Sequence, residues 1–148
     1  MAGTGHHWSH EATFPATLIS ACHARRFVSD HLVDHRLPYL VEPVRLVASE
    51  LVTNALVHAH TAFSVSLAAL DDIVLLTVRD DSLAVPVRRP AGVMDTGGRG
   101  LEIVDLISLE WGLVKDPCGS KAVWASFALR DQRDCKPAYR HDQTDRAR

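Results

Sequence analysis

The chain has 148 residues, of which 47% are hydrophobic and 23% charged, the size and balance of one globular domain able to bury its own core. A formal net charge of -2, with arginines scattered rather than gathered on one predicted face, excludes the basic surface that a nucleic-acid backbone needs. Cys22, Cys118 and Cys135 are odd in number and widely spaced, so neither a disulfide framework nor a zinc site is expected, and no run approaches the roughly 18 apolar residues of a membrane span.

Residues 1–10 are polar and rich in Gly and His, which reads as a flexible tail. His6, His7 and His10 lack an acidic or Cys partner for a metal. No basic start followed by an apolar run is present, so a cytoplasmic location is expected. A first helix is expected over about residues 15–32, with Leu18, Ala21, Cys22, Arg25, Phe27 and Val28 at helical spacing. A second begins near Pro43, suited to a first turn, and Val44, Val47, Ala48, Leu51, Val52 and Ala55 form its apolar stripe. Phe63, Val65 and Leu67 then alternate with serines. Asp71 and Asp72 make a turn, and Ile73 to Val78 returns as the second strand of a hairpin.

From Arg79 to about Arg99 the chain is rich in Pro, Gly and Asp, and reads as a lid or binding loop. A short helix follows Gly100, then strands near Trp111 to Val114 and Ala122 to Leu129, and from Pro137 a charged tail. The fold class expected is α+β: a two-layer sandwich with helices on one face of a mixed, mostly antiparallel sheet. The domain spans 11–131, between tails 1–10 and 132–148.

The second helix carries Glu50, Asn54 and His58 at four-residue steps, on one face and roughly opposite the apolar stripe. A carboxylate and a carboxamide one turn apart suit magnesium ligation and proton acceptance, and a solvated helix face has the same pattern. Asp80 ends a strand just before the long loop. A buried carboxylate there can accept a hydrogen bond from an exocyclic amine; Asp81 is its competitor, and strand termination by turn formers is the plain alternative. Gly97, Gly98 and Gly100 surround Arg99 and open a helix, so their N–H groups can approach phosphate. The pattern is neither G-x-G-x-x-G after a strand nor a P-loop, and a hinge is the alternative. Gly119, Ser120 and Lys121 offer a second phosphate contact or a simple turn.

These segments, ELVTNALVHA (50–59), VRDDS (78–82) and GGRGL (97–101), resemble in order and spacing the N box and two glycine boxes of the Bergerat-fold (GHKL) ATPases, the group that includes gyrase B, histidine-kinase catalytic domains and MutL. The resemblance is strongest to the small anti-sigma-factor serine/threonine kinases of the RsbW and SpoIIAB type, especially short actinobacterial regulators, in which SELVTNA, GGRGL and a final G-x-K-x-VWA-x-F strand recur. It covers about residues 11–131. It implies ATP and Mg²⁺ as cofactors, with Asn54 as the metal ligand, Glu50 as the general base and Asp80 on the adenine amine. Gly98 and Gly100 would shape the phosphate loop, with Gly97, Arg99, Leu101, His58 and Lys121 around the nucleotide. Ser82 stands where the wider superfamily has glycine, which implies altered loop geometry.

The function so implied is a cytoplasmic regulator that sequesters a sigma factor and phosphorylates a STAS-type anti-anti-sigma partner, with no direct nucleic-acid or membrane contact. The alternative is a non-catalytic ATP-binding interaction module. Homodimerisation through Phe14 to Phe27 is also implied, against plain core packing of those side chains.

Overall fold

In a computed structural model that describes residues 7–58, 61–80, 101–117 and 119–129, the chain runs β1 (Trp8–Phe14), α1 (Leu18–Asp34), α2 (Pro38–His58), β2 (Phe63–Leu70), β3 (Ile73–Asp80), β4 (Glu110–Lys115) and β5 (Lys121–Ala128). Residues 101–107 are also helical. The strands form one sheet in the order β1-β2-β3-β5-β4. Every pairing is antiparallel, so the sheet carries no parallel component among the described residues. The architecture is α+β, with helices packed on a five-stranded antiparallel sheet.

Alternation in β2 and β3 decides which face is covered. Phe63, Val65, Leu67 and Ala69 of β2 stand opposite Asp80, Val78, Leu76 and Val74 of β3, and all eight are buried. The apolar members join one core with Val28 and Leu32 of α1, Val44, Val47, Leu51 and Val52 of α2, and Val104. Each such side chain contributes roughly 1.5–3 kcal/mol relative to full exposure, so the helix layer is held by summed burial rather than by any one contact.

Three expectations need correction. The strand β1 begins at Trp8, inside the segment read as tail. Its hidden periodicity lies in histidines used as flat packing surfaces: Trp8 stacks on His35 with centroids 3.8 Å apart, and His10 stacks on His31 at 3.8 Å. The two Nε2 atoms of His10 and His35 share a hydrogen bond of 2.9 Å. The phase of α1 also differs. Its buried positions are Ser20, Ala24, Val28 and Leu32, while Leu18, Cys22 and the guanidinium of Arg25 look outward or sideways. Finally, α2 starts at Pro38 and carries Pro43 within it. Leu37, Leu40 and Val44 are all buried, so core packing extends the helix one turn beyond where proline chemistry suggested a start.

The turn between α1 and α2 is closed by the Leu37 N–H on the Leu32 carbonyl (2.8 Å) and the Arg36 N–H on Val33 (2.9 Å). Arg36 lies at φ 65. This is a Schellman motif with arginine where glycine is usual, fastened by the buried Leu32 and Leu37.

Two outcomes follow from this packing. A Cβ at Gly112 would come within 2.9 Å of three indole atoms of Trp124, the residue facing it across β4 and β5. Gly112→Ala is therefore expected to destabilise the protein by about 1–3 kcal/mol in urea unfolding. Burial, and then the charge of His10, hold the His31 imidazole below its ordinary value against the opposing pull of Asp34 and Asp30. The unfolded chain then binds the proton more readily than the folded one, so this contribution is complete above the ordinary histidine range and is lost as pH falls toward the lowered folded value. Melting temperature should drop between pH 7.5 and 5.5, and His31→Asn should flatten that drop; an unchanged pH slope in the variant would place the effect elsewhere.

Candidate functional site

One end of the sheet collects the residues of interest. The register runs Phe14 to Phe63, Phe63 to Asp80, and Asp80 to Lys121, with Lys115 beside Lys121 on the outer strand. Helix α2 ends at His58 and the chain enters β2 at Phe63, so the last turns of α2 reach this same end. The strand β3 ends at Asp80, and the next described residue, Leu101, opens a helical stretch.

Asp80 lies on the helix-facing side of β3 and is only 3% exposed. Its carboxylate is buried because the alternation that buries Val74, Leu76 and Val78 continues one step further. Such a charge needs partners. Lys121 supplies one, its Nζ standing 3.8 Å from Asp80 Oδ2 with both side chains largely out of solvent. The pairing arises from the strand register, which sets the two residues directly opposite. The sequence reading gave Lys121 to phosphate and missed this contact; no signal within one strand reveals it.

On α2, Glu50 and Asn54 are half-buried. At 3.6 residues per turn the position opposite the buried stripe belongs to Leu46, Thr53 and Val57, all exposed. Glu50 and Asn54 therefore occupy the flank of the helix rather than its far side, a correction to the expected geometry. The arrangement sets an oxygen-bearing pair beside the core edge, where a ligand can reach them without unpacking the helix. The side chain of His58, the glycines Gly97, Gly98 and Gly100, Arg99, and the competitor Asp81 with Ser82 all lie outside the described residues. Leu101 is half-buried at the start of the helical stretch 101–107.

The segment before β5 forms a turn. Gly119 sits at φ 108, a conformation open to glycine. Its N–H donates to the Asp116 carbonyl (2.9 Å), and Asp116 N–H donates to the Ser120 carbonyl (2.8 Å). The Ser120 hydroxyl closes on the Asp116 carboxylate at 3.2 Å. Gly119 and Ser120 thus serve the β4–β5 connection, the plainer of the two readings the sequence allowed. Among the described residues no group of His, Cys, Asp and Glu has the grouping of a metal site, and no helix is long and apolar enough to cross a membrane.

In comparisons with known proteins, no family model matches the chain and no curated protein matches it.

Proposed function

We propose that this chain is an ATP- and Mg²⁺-binding regulator of the Bergerat type, a protein serine/threonine kinase of the anti-sigma-factor branch that sequesters a sigma factor and phosphorylates a STAS-type anti-anti-sigma partner in the cytoplasm. The observation that carries it is Asp80: a carboxylate 3% exposed, at the end of a strand and on the side of the sheet that faces the helix layer. Burying a carboxylate there is costly. It is well suited to recognise an amine.

An ionised carboxylate has about four acceptor sites, so Asp80 can hold Lys121 and accept from the 6-amino group of adenine at once. Guanine presents an acceptor at that position and is disfavoured. The side-chain oxygen of Asn54 suits Mg²⁺, which when bound neutralises phosphate charge and orients the chain of phosphates. Glu50, one turn earlier on the same flank, accepts the proton of the attacking serine hydroxyl. Half-burial of both residues keeps them positioned while leaving room for a substrate. The resemblance of GGRGL to a phosphate-binding box assigns Gly97 to Leu101 to the phosphates.

The homodimer implied by the resemblance would use β1, which ends the sheet order and has a neighbour only in β2 among the described strands. Phe14, at the end of that strand, is half-buried. Its ring packs within the chain against Phe27 and Phe63.

Asn54→Ala is expected to abolish Mg²⁺-dependent ATP binding in calorimetry while the circular dichroism spectrum stays native. Asp80→Asn should erode the preference for ATP over GTP, and an unchanged preference would pass the role to Asp81. Incubation with γ-labelled ATP, Mg²⁺ and candidate STAS proteins should label a serine, and Glu50→Gln should reduce transfer at least 100-fold, on the scale of general base catalysis. ATP binding without transfer to any candidate would instead establish a non-catalytic interaction module.

A further inference from the structure

On the outer side of the helix layer, α1 and α2 enclose an open cleft of about 400 Å³ lined by Cys22, Arg25, Arg26, Ser29, Asp30 and Arg45. The α1 residues recur at steps of three, one, three and one, so they form a single stripe, and Arg45 faces them from α2. Three guanidinium groups and one carboxylate surround this space. Neither Arg26 nor Arg45 has an ion pair among the described residues, and Asp30 neutralises none of the three. This local positive charge stands on a chain whose formal net charge is -2, a concentration of arginine that the scattered spacing along the sequence concealed.

Two further features make the cleft more than an accident of surface charge. The Arg25 guanidinium is held in place: one amino group donates to the Ser49 hydroxyl of α2 at 3.4 Å, the other to Cys22 Sγ at 3.5 Å. It spans the seam between the helices as a fixed fork. Ser29, between the arginines and Asp30, has a hydroxyl oxygen sealed from solvent with no hydrogen-bond partner. A buried hydroxyl without a partner is costly, and Ser29 is one of the residues that line the cleft.

We propose that this cleft is a docking site for an acidic segment of a partner protein, its Asp or Glu carboxylates received by Arg25, Arg26 and Arg45. Guanidinium forks match carboxylates in paired hydrogen bonds. The lining on α1 runs from Cys22 to Asp30, eight helical steps or about 12 Å. That is longer than one tetrahedral anion and suits a ligand with negative groups spaced along it. Asp30 sets the polarity, since it repels a carboxylate and ends the acidic run at that side. The charge of the chain's own remaining segments does not suit the cleft. Segment 81–100 has three arginines against two aspartates, and 130–148 has six Lys or Arg against four Asp, so both carry positive charge. The cleft lining includes none of Asp80, Lys121, Glu50 and Asn54, and the inference does not rest on nucleotide binding.

The test uses the full chain and a fluorescein-labelled hexaglutamate peptide, followed by fluorescence anisotropy in low salt, with the hexaglutamine peptide as control. Saturable binding of hexaglutamate is expected, at least tenfold tighter than hexaglutamine. The double variant Arg26→Glu, Arg45→Glu should weaken it at least tenfold while retaining the native melting temperature, as both side chains are exposed. Asp30→Asn should tighten it. Absence of binding, or equal affinity in the double variant, would overturn the proposal. Displacement of the peptide by inorganic phosphate at equal concentration would overturn it too, in favour of a small-anion site.

Discussion

The structure turns on the register of the β2–β3 hairpin. Asp71 and Asp72 connect the strands with no residue to spare, Asp71 adopting φ 53, a left-handed conformation that Asp tolerates better than most residues. That turn fixes Phe63 opposite Asp80. Because side chains alternate with period two, a slip of one residue would turn Val74, Leu76 and Val78 to the open face and carry Asp80 with them. The same alternation that builds the core therefore buries the carboxylate. The apolar pattern enforces the register over seven residues before the charge is reached, and so sets the geometry of the site.

Most of the framework was legible because it is written in local periodicity. The stripe of α2, the alternation of β2, the apolar run of β3 and the last two strands each declare themselves within a single segment. What escaped notice depended on contacts between segments. Strand β1 was hidden because His10 interrupts an apolar alternation, and only the stacking of His10 and Trp8 on His31 and His35 shows that an imidazole can serve as core surface. The early start of α2 was hidden for a similar reason: Pro43 is a strong local signal for a helix start, and burial of Leu40 overrides it.

The site divides along the same line. Residue chemistry and spacing single out Glu50, Asn54 and Asp80 as candidates, and the structure shows the first two half-buried and the third buried. Lys121 was given to phosphate, yet it stands across the sheet from Asp80. The pairing of two ends of strands 41 residues apart in sequence is a property of sheet order alone. So is the arginine cleft, where Arg45 meets Arg25 and Arg26 only because α1 and α2 fold back on one another through the turn at Arg36.

Helix α2 supplies three surfaces at once, and this limits how it can vary. Val44, Val47, Ala48, Leu51, Val52 and Ala55 face the sheet; Glu50 and Asn54 lie on one flank; Arg45 and Ser49 face α1. At 3.6 residues per turn, inserting one residue before Val44 would rotate every later position by about 100°. Glu50 would then take the buried place of Leu51, where an unpaired charge is far more costly than the loss of a methylene. The buried stripe thus fixes the helix's rotation, and the rotation fixes both polar faces. A change in either polar surface leaves the fold intact so long as the stripe is kept, whereas a change in the phase of the stripe displaces the core, the Glu50–Asn54 flank and the arginine cleft together.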